Sequence, residues 1–175
     1  MSAKPSGCRD RITARRICLL SSLCALSLGL SYLESLLPTG FIAPGIKLGL
    51  ANGAAVVLIF RKDTKAAVFI TIARILLSSL LFSGVFSAVF SLSGAALSLT
   101  LTYFLSKSDK FSVCAVSAAA GAAHNIAQSA VACATVGKAV MFYLPALIIA
   151  GALSGAAVGA LSFLFLKKLK TNGRK

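Results

Sequence analysis

The sequence predicts an all-α integral membrane protein, a bundle of six transmembrane helices with both termini cytoplasmic. Three observations carry that expectation. First, 58% of the residues are hydrophobic and the mean hydropathy is +0.91. Second, the apolar residues form long runs separated by short breaks. A bilayer core about 30 Å thick needs ~20 apolar residues per helix, so 175 residues hold six such helices and little else. Third, the 18 Lys+Arg against 4 Asp+Glu lie mostly in the breaks. A strongly basic soluble protein would point to nucleic acid. Here no soluble domain is left over to bind it, so nucleic acid is excluded as a partner. Spans in lipid must satisfy their own backbone as helices or barrels. These runs are too long and too continuously apolar for barrel strands, which alternate.

The first expected helix, 17–37, follows a basic tail, 1–16, with Lys4, Arg9, Arg11, Arg15 and Arg16. The tail and run resemble a signal peptide, but ~20 apolar residues exceed the usual h-region, so the helix is read as retained. The second, 41–60, follows a break near 38–45 with Pro38, Gly40, Pro44 and Gly45. Such punctuation predicts a non-helical excursion, either a surface turn or backbone lining a cavity. Arg61, Lys62 and Lys65 precede the third helix, 66–82. Ser83 and Gly84 separate it from the fourth, 85–106. Lys107 and Lys110 precede the fifth, 112–136, and Gly137 and Lys138 the sixth, 139–166. A second basic tail, 167–175, ends the sequence. Residues 17–166 are thus read as one transmembrane domain. Basic and nearly charge-free breaks alternate, and cytoplasmic loops carry the excess of Lys and Arg. That sets the orientation.

The five cysteines show no zinc-ligand spacing. Those in helices are read as small apolar residues, and neither a metal nor a cofactor is expected. Small residues let helix backbones approach in lipid. Gly151, Gly155 and Gly159 line one face of the sixth helix, which reads as internal packing. Cys18, Ser22, Ala25 and Gly29 line the first, as internal packing or as a face for another membrane protein.

Ionisable groups inside a span cost about 2.5–3.5 kcal/mol and face a bundle interior or a wet cavity. The candidates are Glu34 and Lys47 near the outer surface, Asn52 and Arg74 deeper, and His124, Asn125 and Gln128 in the fifth helix. The topology makes them a set. If their faces converge, they form a polar cup opening outward, the expected substrate-binding site. Other roles stand beside that one. Glu34 can neutralise Lys47 or Arg74, and Lys47 can snorkel to the interface. Asn125 and Gln128 can join helices, and a neutral His124 can be structural. Arg74 can neither shed its proton nor easily reach water, so it needs a partner in the protein or in a ligand. Tyr32, Phe41 and Tyr143 could add aromatic contacts.

At these residues the chain resembles the Gx transporter family. Residues 44–52 read Pro-Gly-Ile-Lys-Leu-Gly-Leu-Ala-Asn, and 121–128 read Gly-Ala-Ala-His-Asn-Ile-Ala-Gln. Both are similar to its signatures, and Glu34 with Pro38 resembles the element before the first. The likeness covers about 15–166. That family is similar to the substrate-binding S components of energy-coupling-factor transporters. The resemblance implies a multi-pass protein of a bacterial cytoplasmic membrane. It would capture a vitamin-like, anionic or zwitterionic small-molecule solute from outside. Its partners would be membrane lipid and a transmembrane coupling protein with ATPases. Ala14, Cys18 and Ser22 resemble the docking stripe, without an intact Ala-x-x-x-Ala. The family is also labelled heptaprenyl diphosphate synthase component I and associated with flavin- and quinone-linked electron transfer. The alternative is therefore a non-catalytic membrane anchor of an isoprenoid, quinone or flavin-linked assembly. Prenyl elongation needs Mg²⁺ held by clustered carboxylates. Asp10, Asp63, Asp109 and Glu34 lie far apart in sequence, so no enzyme is expected. No phosphate-binding Gly-x-x-x-x-Gly-Lys-Ser/Thr occurs, so energy must come from another chain or an ion gradient.

Overall fold

The computed structural model describes residues 7–36, 49–108 and 110–172. Lys47, Phe41 and the break at 38–45 lie outside the described residues. Within them every regular element is helical. The elements are α1 (Gly7–Leu36), α2 (Gly53–Phe60), α3 (Thr64–Ser78), α4 (Gly84–Ser106), α5 (Val113–Thr135) and α6 (Leu144–Asn172). A 3₁₀ turn, Leu50–Asn52, leads into α2, and a second, Lys138–Tyr143, leads into α6. Three helical stretches are long and apolar enough to cross a membrane: Arg16–Leu36, Thr64–Ser106 and Lys138–Leu169. The second contains both α3 and α4.

Local chemistry explains the boundaries. Asp63 caps α3 by accepting the Ala66 N–H at 3.3 Å, and Ser112 caps α5 by accepting the Ala115 N–H at 3.2 Å. Such caps satisfy donors that a helix start leaves open. A π turn, Ser79–Ser83, widens the end of α3, and Gly84 at φ 76° makes the break that the sequence places there. The sixth helix starts later than the expected 139. Pro145 lacks an N–H and fits only the first turn of an α-helix, so 138–143 stay 3₁₀. At the other end α6 runs to Asn172, past the expected 166. Lysines are good helix formers, and cations are favoured at a helix C-terminus. Likewise α1 begins at Gly7, inside the segment read as a tail.

The basic segments gather at one end of the bundle. Arg16 pairs with Asp63 at 2.8 Å. Arg16, Arg61 and Leu169 line one cleft, which brings the end of α6 beside them. Gly159 lies against Cys114, which sets the start of α5 along the later part of α6. At the opposite end, Tyr32 of α1 meets Phe82 edge-on with ring centroids 5.4 Å apart.

Short α2 is the core of the fold. Ala54, Ala55, Val56, Val57, Leu58 and Ile59 are all buried. A helix that is apolar on all sides requires neighbours on all sides. Leu23 of α1 and Ala66, Ala67 and Ile70 of α3 pack on it. The tightest packing joins α5 and α6. A Cβ at Gly121 would lie 2.1 Å from the Gly151 carbonyl oxygen, and one at Gly155 would lie 2.4 Å from that of Ser117. The glycine stripe of α6 is therefore an internal packing face. The small stripe of α1 points the other way: Cys18, Ser22, Ala25 and Gly29 are exposed, and nothing lies within 4 Å of a Cβ at Gly29.

Replacing Gly121 with alanine should therefore destabilise the detergent-solubilised protein by at least about 1–3 kcal/mol, the usual cost of overpacking. Gly29→Ala, with open space at its Cβ and a better helix former in place, should not lower the thermal midpoint. Melting curves of the two variants beside the parent check this.

Candidate functional site

The fold brings side chains of α1, α3, α5 and the turn before α2 together around one guanidinium. Arg74 lies about 15 Å along α3 from Thr64, half the thickness of a bilayer core, and is 3% exposed. Its Nη1 donates to Ser31 Oγ at 2.8 Å, and its Nη2 donates to Asn52 Oδ1 at 3.2 Å. The carboxylate of Glu34, itself 3% exposed, accepts the Leu50 N–H at 2.5 Å and acts electrostatically on Arg74. Glu34 thus holds the 3₁₀ turn that presents Asn52.

From Asn52 the chain of hydrogen bonds continues into α5. Asn52 Nδ2 lies 3.2 Å from His124 Nδ1, and His124 Nε2 lies 2.9 Å from the Gln128 amide. Valence fixes the direction of this chain. Arginine only donates, so Asn52 turns its oxygen to Arg74 and its N–H to His124. Nδ1 must then accept, and the ring proton sits on Nε2. The Gln128 atom at 2.9 Å is the amide nitrogen; a donor cannot meet that proton, so the network assigns the amide turned over, with its oxygen accepting. His124 is buried, and its ring lies flat against α4: a Cβ on Gly94 would come within 2.6 Å of Cε1 and Nδ1. Only glycine leaves room for the imidazole there.

Five of the expected site residues therefore meet: Glu34, Asn52, Arg74, His124 and Gln128. Asn125 does not join them. It turns to α6, where its Nδ2 donates to the Leu147 carbonyl at 2.6 Å, which is the helix-joining role. Lys47 lies outside the described residues. Among the described residues, Arg74, Ser31, Asn52, His124 and Gln128 bond to one another. On the basic-end side of the network, a cavity lined by Asn52, Val56, Ser98 and Ser117 is about 10 Å³, at the lower limit for a single water.

The sequence reading missed Ser31 and Gly94. Ser27, Ser31 and Glu34 recur at helical spacing on the buried face of α1, and that polar stripe was the available signal. On α4, Ser87, Ser91, Gly94, Ser98 and Thr102 form a similar buried stripe. Four buried polar atoms lack hydrogen-bond partners among the described residues, Ser87 Oγ, Ser91 Oγ, Ser129 Oγ and Asn125 Oδ1, and of these residues the sequence pointed only to Asn125. In helix register the three serines lie beyond His124, away from the basic end. Buried polar atoms are usually paired, so this cluster has capacity for water or for a polar ligand group. Among the described residues no group of three or more His, Cys, Asp and Glu is placed to hold a metal ion.

These features define the class: an all-helical protein with helices long and apolar enough to cross a membrane and a charged network buried between them. Residues 23–165 match the family model described as heptaprenyl diphosphate synthase component I, and the chain belongs to that family, also called the Gx transporter family. No curated protein and no solved structure matches the chain.

The chain has a single histidine, so ¹⁵N-histidine labelling reads the network directly. The expected spectrum shows a protonated Nε2 and a bare Nδ1. Asn52→Leu, which removes both of its links, should lower stability by about 1–2 kcal/mol and shift both ring resonances.

Proposed function

We propose that this chain is a non-enzymatic membrane subunit that binds a small anionic or zwitterionic solute at the Arg74–His124 network. In this reading it spans the membrane six times with both termini cytoplasmic. The solute then enters from the side away from the basic end, and a separate energising module drives transport. One observation carries the proposal. Arg74 is held in mid-span by two neutral side chains, while insertion of an arginine there costs about 2.5–3.5 kcal/mol. Interhelical hydrogen bonds in membranes average about 0.6 kcal/mol each, so Ser31 and Asn52 do not offset that cost. Glu34 offsets part of it. An anionic group on a solute would offset more, and the serine hydroxyls beyond His124, without partners among the described residues, lie where its polar atoms would enter.

The outward-facing small stripe of α1 supports a second membrane protein as partner. So does the family description, since a "component I" is one part of an assembly. That wording equally favours the second reading, a non-catalytic anchor for an isoprenoid, quinone or flavin-linked electron-transfer assembly. Co-purification in mild detergent separates the two. ATPase subunits would support the transport reading, and redox or lipid-synthesis proteins the anchor.

Arg74→Ala and His124→Ala should each abolish solute uptake and ligand-induced stabilisation in cells and in detergent, while the protein still inserts. Uptake and stabilisation that survive both changes would remove the site.

A further inference from the structure

A groove unrelated to the Arg74 network runs along one side of the bundle. At the basic end lies a cleft of about 790 Å³, lined by Arg16 of α1, Arg61 after α2 and Leu169 of α6. A cavity of about 320 Å³ continues toward the other end between Leu26 and Leu30 of α1 and Leu161 of α6, with Gly53 and Val57 beneath. Phe165 lines both. The groove exists because α1 packs on α3 and α6 packs on α5, so the two flank α2 without close packing on each other. From Arg16 to Leu30, α1 rises about 21 Å, more than one leaflet's half of a ~30 Å core.

Size and lining select the occupant. A helix 10–12 Å across fills about 95 Å³ per Å of length, so the upper cavity would hold only about 3 Å of one. Helix docking in lipid favours small residues at the contact; in this upper cavity the small residues Ser27, Ala54 and Ser162 are buried on the floor, and the exposed rim is Leu26, Leu161 and Phe165. An extended hydrocarbon chain is thin enough to lie there. The mouth supplies the charge. Asp63 is engaged by Arg16 at 2.8 Å and by the Ala66 N–H. Arg61 is exposed beside them, and Lys62, Lys167 and Lys168 are exposed at the same end. Basic side chains near a membrane surface attract anionic headgroups.

We infer that this groove binds one anionic phospholipid, with an acyl chain laid between α1 and α6 and the phosphate at Arg16 and Arg61. The test is native mass spectrometry of the full chain released from nanodiscs of equal phosphatidylglycerol and phosphatidylcholine. One lipid should be retained, with phosphatidylglycerol favoured about tenfold. Arg61→Gln should bring that preference close to unity. Leu26→Trp, on the exposed rim, should reduce retention of both lipids without disturbing the fold. Lys110→Gln, away from the groove, should change neither. Equal retention of the two lipids by the parent protein would overturn the inference, as would a preference that Arg61→Gln leaves intact. A phosphate adduct formed from inorganic phosphate alone would replace it with a headgroup-only anion site. A photo-crosslinker at position 161 that captures a protein instead of lipid would replace it with a partner helix.

Discussion

A guanidinium that cannot lose its proton sits buried within an apolar helical stretch long enough to cross a membrane, and the surrounding structure is organised around holding it. Its donors reach Ser31 on α1 and Asn52 before α2. Asn52 is in place because Glu34 holds the turn at Leu50. The same amide fixes the tautomer of His124, which passes the constraint to Gln128. One permanent charge thus orients side chains on three helices and a turn. The direction of every bond in the chain follows from the fact that arginine only donates.

Close helix packing makes that network possible. Gly94 lets α4 lie flat on the imidazole, and Gly121 and Gly151 bring the α5 and α6 backbones into contact. Between them α5, which carries His124, Asn125 and Gln128, is clamped on two sides. Its polar residues then divide by face. His124 and Gln128, four residues apart, point toward Arg74, while Asn125 reaches α6. The polar network and the glycine contacts are therefore two faces of one constraint on α5.

Much of the fold was legible because hydropathy and charge act locally. The breaks at Gly84 and Gly137, the glycine face of α6 and the gathering of basic segments at one end all follow from short stretches of sequence. Helix ends were less legible. Pro145 delayed α6, and lysines carried it past the apolar run, because propensity and the helix dipole do not track hydropathy. At the site, the charged and amide residues announced themselves by their rarity in apolar surroundings. Ser31 and Gly94 did not, because serine and glycine are common in such helices and matter here only through what lies opposite. Asn125 could not be separated from His124 by sequence, since adjacent residues on a helix differ by about 100° and only tertiary packing decides which face is which. The outward cup was an inference from convergence. The described residues do converge, and they bond to one another.

Those bonds give the central claim its sharpest form. If the network is a receptor held shut by its own hydrogen bonds, a solute must exchange bonds with it in order to bind. The most direct measurement is an experimental structure of the protein purified together with its co-isolated solute. The account requires solute density within hydrogen-bonding distance of Arg74, with Asn52 or His124 displaced from its present partner. An unchanged Arg74–Asn52–His124 chain, with the solute seated elsewhere, would contradict it.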